Sequence, residues 1–150
     1  MGTYMDFFIA LPEEAMAIVE SEDPFEDWPS YSIRGISDID LEVLWGVIDG
    51  DKPSEATDLV SSEPVIEDPE EELFFYRVDD RFVEALSRIS AEEVENYSIE
   101  WVKKQPRPDR PRKGWQPVEQ DVAKVIIKEL SEFARQAKSL NKPILEWANY

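Results

Sequence analysis

The chain has 150 residues, 42% of them apolar, with five Trp, seven Phe and five Tyr. That is enough large hydrophobe for one ordinary folded domain and too much for a disordered acidic tail. It has a formal net charge of −18 and contains neither Cys nor His, which excludes disulfides, His/Cys zinc sites, Ser-His-Asp and Cys-His relays and any imidazole general base.

Tyr4 to Leu11 is an aromatic and β-branched run closed by Pro12 and reads as a buried strand. Pro12-Glu13-Glu14 then opens a short helix, with acids near its positive end and an apolar stripe of Ala15, Ile18 and Val19. Residues 20–30, with two prolines and five acids, predict a loop in which Phe25 and Trp28 anchor onto the core. Ser37-Asp38-Ile39-Asp40 has capping-box spacing, and Ile39, Leu41, Leu44, Trp45 and Ile48 follow at helical spacing up to Gly50. Residues 51–72 are acidic, broken by Pro53, Pro64 and Pro69, and admit at most two short strands around Leu59 and Val65.

Leu73–Val78 is a second strong strand, after which Asp79 caps a helix carrying Phe82, Val83, Leu86 and Ile89 on one face. Ser90-Ala91-Glu92-Glu93 is a capping box for a further helix with Val94, Tyr97, Trp101 and Val102. Residues 105–117, with four prolines and a glycine, predict a long exposed loop. The longest helix is expected from about Val118 to Leu140, its apolar stripe being Val118, Val122, Val125, Ile126, Leu130, Phe133, Ala137 and Leu140, with Asn141 as terminator. Pro143 stops it, and Ile144–Trp147 reads as a closing strand. The order predicts a single α+β domain over residues 1–150, with about five helices packed on a small antiparallel or mixed sheet. Met1–Asp6 holds no basic residue and no run approaches ~20 apolar residues, so neither a signal peptide nor a spanning helix is read, and a cytoplasmic setting is expected.

Several stretches resemble the YfbM-like family of small uncharacterised bacterial proteins. They are Met1-Gly2 leading to Leu11-Pro12-Glu13-Glu14-Ala15, the Leu41-Glu42-Val43-Leu44-Trp45 helix, and Phe75-Tyr76-Arg77-Val78. Phe82-Val83-Glu84-Ala85-Leu86 and Ser90-Ala91-Glu92-Glu93, with the last helix and strand, complete the resemblance. It rests on core and capping residues. It implies an α+β fold and a bacterial cytosolic setting, and no reaction. The family pattern has a longer, His-containing segment after the tryptophan, where this chain runs directly through Gly46-Val47-Ile48-Asp49-Gly50.

The charge is asymmetric. Residues 1–72 hold 21 Asp/Glu against Arg34 and Lys52, whereas residues 73–150 hold 13 acids against 14 bases. Such a field attracts basic proteins or cations and repels nucleic acid and anionic lipid. The preferred expectation is a non-catalytic acidic interaction module, such as an immunity-like inhibitor of a basic partner. Its expected contact residues are Glu20, Glu22, Asp23, Glu26 and Asp27 around Phe25 and Trp28.

Three other readings stand beside it. A basic segment of Lys103, Lys104, Arg107, Arg110, Arg112 and Lys113, flanked by Trp101 and Trp115, has the composition of a phosphate-backbone and base-stacking patch. The overall negative charge favours its folding back onto acidic surface, in this chain or in a homodimer, so a nucleic-acid partner is disfavoured. A pocket built on Tyr4, Asp6, Tyr76 and Arg77 of the two best strands would suit a carboxylate- and tyrosine-based small-molecule-binding or hydrolase domain. Asp49-Gly50-Asp51 with Ser54, Glu55 and Asp58 resembles a calcium loop, but Ser54 stands where that loop needs glycine. No metal, cofactor, membrane partner or catalytic residue is assigned.

Overall fold

A computed structural model describes residues 4–36, 38–49, 61–104 and 118–149. In chain order the elements are β1 (Tyr4–Ile9), a 3-10 turn (Pro12–Glu14), α1 (Ala15–Glu20), α2 (Pro24–Asp27) and β2 (Ser30–Arg34). Next come α3 (Asp38–Ile48), β3 (Ser61–Asp68), β4 (Leu73–Val78) and α4 (Asp80–Ser87). The chain continues through α5 (Ala91–Lys104) and α6 (Gln120–Leu140) to β5 (Ile144–Asn149). The fold is α+β, as the order of elements predicts. The strands form one sheet in the order β2-β1-β5-β4-β3, and every neighbouring pair is antiparallel.

Alternation along the strands sorts their side chains to two unequal faces. Met5, Phe7 and Ile9 of β1, Ile33 of β2 and Ile144 of β5 point to the larger face. There they pack with Leu41, Leu44, Trp45, Phe82, Leu86, Trp101, Ile127, Leu130 and Phe133 from α3 to α6. Phe8, Phe75 and Leu145 point the other way, where the short α1 lays Ala15 and Ile18 on them, with Trp28 and Trp147 at the margin. A stacked Phe75–Trp147 pair, 5.1 Å between centroids, lies on this thinner side.

Local signals fix the helix ends. Asp79 accepts the Arg81 N–H at 2.8 Å, capping α4. Ser90 and Glu93 exchange the two bonds of a capping box, at 3.0 and 3.3 Å, and start α5. Asn141, at φ 54° and ψ 44°, ends α6 in the left-handed region, where Asn costs less than most side chains. Fully buried Trp101 donates from Nε1 to the Asp40 carbonyl at 2.8 Å and ties α5 to α3.

Several expectations are corrected. Residues 20–30 are not all loop, since α2 and the first residue of β2 fall within them. The expected stripe on α6 holds in part: Ile126, Leu130, Phe133 and Ala137 are buried, but Val122, Val125 and Leu140 are exposed, and the helix also buries Ala123, Ile127, Ser131 and Ala134. Alanines let α6 approach its neighbours more closely than valines at the same positions would permit. β3 runs eight residues through Pro64, which an edge strand tolerates because an outward N–H is dispensable there. The expected strand around Leu59, the caps Ser37 and Gly50, and the 105–117 loop lie outside the described residues. Among the described residues, no helix is long and apolar enough to cross a membrane.

Candidate interaction surface

β1 ends by delivering Phe8 and Ala10 to the thinner face, and the chain then turns through Leu11 into the 3-10 turn. Glu14 organises this corner with both carboxylate oxygens. Oε1 accepts the Leu11 N–H at 2.9 Å, and Oε2 accepts the Trp28 indole N–H at 3.1 Å, across fourteen residues. These two donors, led by the Leu11 backbone, hold the Glu14 carboxyl below its usual pKa, with Lys142 adding attraction from 3.8 Å.

Between α1 and α2, the Ser21 hydroxyl donates to Asp27 at 2.6 Å and accepts the Asp23 N–H at 3.2 Å. The loop is therefore braced from within.

The corner displays apolar surface. Phe25 is 49% exposed although its ring lies 5.5 Å from that of Phe8, Met16 is 48% exposed and Leu11 36%. Glu20, Glu22, Asp23, Glu26 and Asp27 of the same corner are all exposed, and among the described residues none forms an ion pair with a basic side chain. The expected contact residues are thus exposed, with one exception. Trp28 is half-buried and its N–H is committed to Glu14, so it buttresses the corner while Phe25 and Met16 are its displayed apolar groups. Met16 was not among the expected residues. Its position two before Ile18, off the buried stripe of α1, is the signal that would have placed it outside.

The other candidate sites fare differently. Lys103 and Lys104 end α5, where cations suit the negative helix terminus, and Lys103 lies 3.7 Å from Glu100. Arg107, Arg110, Arg112, Lys113 and Trp115 lie outside the described residues. Trp101 is buried in the core and offers no ring for stacking.

The strand-based pocket does not assemble. β5 separates β1 from β4, and alternation sends Asp6 and Arg77 to the thinner face and Tyr76 to the other. Asp6 accepts from the Ser32 hydroxyl at 2.6 Å, whereas Arg77 pairs with Asp80 at 2.9 Å. The Tyr4 side chain lies outside the described residues. Asp49 is an exposed residue beyond the end of α3, and the remainder of the calcium-like segment is likewise outside them.

Among the described residues there are clefts of about 260 and 240 Å³. The first holds Asp49, Arg88, Glu93 and Tyr97 beside Ile48 and Ile89. Tyr97 donates to Glu93 at 2.7 Å; that bond, followed by burial, pushes the phenol up to about 12, and it also leads the lowering of the Glu93 carboxyl. The second is lined by Arg77, Asp80, Glu84, Lys138, Asn141 and Lys142. Here Arg77 pairs with Asp80, and Lys138 meets Glu84 at 2.5 Å, which also pairs with Arg88. In the second cleft the charged groups thus bond to one another, whereas in the first Glu93 bonds Tyr97 and Ser90, and Arg88 pairs with Glu84 outside the cleft.

One buried acid had no place in the sequence reading. Glu146, fully buried on central β5, stands opposite Phe7 and Tyr76 in register, on the helix-covered face. A single carboxylate inside Ile144-Leu145-Glu146-Trp147-Ala148 was its only sequence signal.

No protein-family model matches the chain, and no curated protein matches it. Among solved structures it is similar to YfbM from Escherichia coli, described as a protein of unknown function. The match has a TM-score of 0.45 and 11% identity, and covers 99% of this chain and 100% of that one.

Proposed function

We propose that this chain is a non-catalytic cytosolic interaction module whose α1–α2 corner docks a basic protein, in the manner of an immunity-like inhibitor. The observation that supports the reading is that Glu20, Glu22, Asp23, Glu26 and Asp27 are all exposed and none is neutralised by a basic side chain among the described residues, while Phe25, within the same short segment, is 49% exposed. An aromatic anchor within a charged rim is the usual composition of a binding hot spot. The carboxylates speed encounter with a cationic surface, and the ring supplies the desolvated contact that slows release. A basic enzyme whose active site gathers Lys and Arg for an anionic substrate is the class of target such a surface would block.

The test is affinity capture from native cytosol at low and moderate salt, comparing the unaltered chain with a Glu22→Lys, Glu26→Lys, Asp27→Lys variant. A basic protein should be recovered in stoichiometric amount by the unaltered chain, be released as salt rises, and be lost with the variant. Equal recovery by the charge-reversed chain would remove the α1–α2 corner from the interface.

A further inference from the structure

The sheet ends in two strands that are guarded very differently. β3 carries Pro64, two irregularities of register against β4, and the carboxylates Glu63, Glu67 and Asp68. These are features that discourage another strand from pairing with an edge. β2 carries none of them. Ser30-Tyr31-Ser32-Ile33-Arg34 lacks proline, keeps an unbroken register with β1, and bears one charge at its far end.

The direction of its hydrogen-bonding groups follows from a single bond. Ile9 N–H donates to the Pro29 carbonyl at 3.0 Å, one step beyond the Phe8–Ser30 pair, so Ile9 and Pro29 are a hydrogen-bonded pair of the antiparallel ladder. Such pairs alternate, so Tyr31 and Ile33 bond to β1, while Ser30, Ser32 and Arg34 turn their N–H and C=O groups away from the sheet. Among the described residues none of these outward groups has a partner.

We propose that the basic partner adds an extended segment to β2 as a sixth strand of the sheet. The proposal rests on the reading of the α1–α2 corner given above and names how that corner is engaged. Glu26 and Asp27 lie immediately before the Ser30 end of the strand, and Arg34 closes the other end. The bound segment therefore carries its Lys and Arg toward Ser30 and neutral or acidic groups toward Arg34.

One set of its alternating side chains faces the Ser32–Asp6 row. The other set comes over Tyr31 and α6, where burial and the neighbouring Glu129 push the Tyr31 phenol up from its usual pKa. On the same side of α6, one and two turns before Glu129, Val125 is 53% and Val122 49% exposed. An alternation of basic and apolar residues fits both faces. A second copy of this chain fits poorly, because it would bring together two segments each holding 21 acids against two bases.

The experiment uses the full chain with two probe peptides, an alternating lysine–valine octapeptide and octalysine, and reads binding together with amide hydrogen exchange. The alternating peptide should bind the more tightly and slow exchange at Ser30, Ser32 and Arg34 by about ten-fold or more. Ser32→Pro removes an outward N–H that the fold does not use, and should weaken binding by at least about ten-fold. Ser32→Ala, which loses the bond to Asp6 yet keeps that N–H, should change affinity by less than about three-fold. Should Ser32→Pro fail to fold, exchange in the unaltered chain decides the matter.

Octalysine binding equally well, without protecting those amides and weakened by Glu26→Lys with Asp27→Lys, would overturn strand addition and leave the basic-partner reading standing. Binding of neither peptide would overturn both. Self-association without peptide that Ser32→Pro abolishes would overturn the proposal by making the occupant of the edge a second copy.

Discussion

Phe25→Ala separates a displayed anchor from a core residue by its effect on stability alone. Truncating a fully buried Phe costs about 3–5 kcal/mol, from lost transfer energy and the cavity left behind. Phe25 is 49% exposed, so about half of that is at stake, roughly 1.5–2.5 kcal/mol, including its ring contact with Phe8. Phe8→Ala, with no exposure in the unaltered chain, should cost the full range. Urea unfolding followed by tryptophan fluorescence measures both. With a slope of about 2 kcal/mol/M, the Phe25 variant should unfold about 1 M earlier and the Phe8 variant about 2 M earlier. A loss above about 3 kcal/mol for Phe25→Ala would make it a structural residue and leave the proposed surface without its centre. A loss near zero would mean the ring is not held on Phe8 and is not preorganised for a partner.

Trp101→Phe deletes the indole N–H that reaches Asp40 and opens a small cavity between α5 and α3, and should cost about 2–4 kcal/mol in the same assay. Asn141→Ala places a Cβ-bearing side chain of poorer left-handed tolerance at φ 54° and should lower stability by about 1 kcal/mol. Glu14 has a lowered carboxyl pKa in the folded state, so it adds stability above its unfolded value of 4.5, lost as pH falls through the folded pKa. Glu14→Gln should accordingly flatten the decline in stability on acidification below about pH 5, measured by thermal unfolding across pH. At the alkaline end Tyr97 is raised from 10.0 to about 12, so its contribution is complete below pH 10 and disappears as pH rises through 12. Tyr97→Phe should reduce the slope of stability against pH in that window.

Where the sequence carried a strong local rule, it also located the element. The dense β-formers of β1 and β4, the Asp79 cap, the Ser90–Glu93 box and the left-handed stop at Asn141 each depend on neighbours within a few residues, and each is present. What escaped depends on distant contacts. β2 has two core-facing residues, Tyr31 and Ile33, among serines, too short a pattern to declare a strand without β1 beside it. The exposure of Val122 and Val125 on α6 escaped because hydrophobicity favours them over Ala123 and Ala134, whereas close helix packing favours the alanines. At the candidate surface, charge and aromatic content pointed to residues 20–28. The commitment of the Trp28 N–H to Glu14, fourteen positions earlier, was legible only in three dimensions.

The last strand occupies the middle of the sheet, with β1 on one side and β4 on the other. During synthesis, every earlier strand must wait for residues 144–149 before the sheet can join, and until then β1 with β2 and β4 with β3 are separate hairpin-like pieces lacking a common neighbour. Closing contacts that span nearly the whole chain slows folding and lengthens the time for which strand edges are open. A segment that holds 21 acids against two bases repels its own copies, so charge opposes association of such intermediates for as long as β5 is missing.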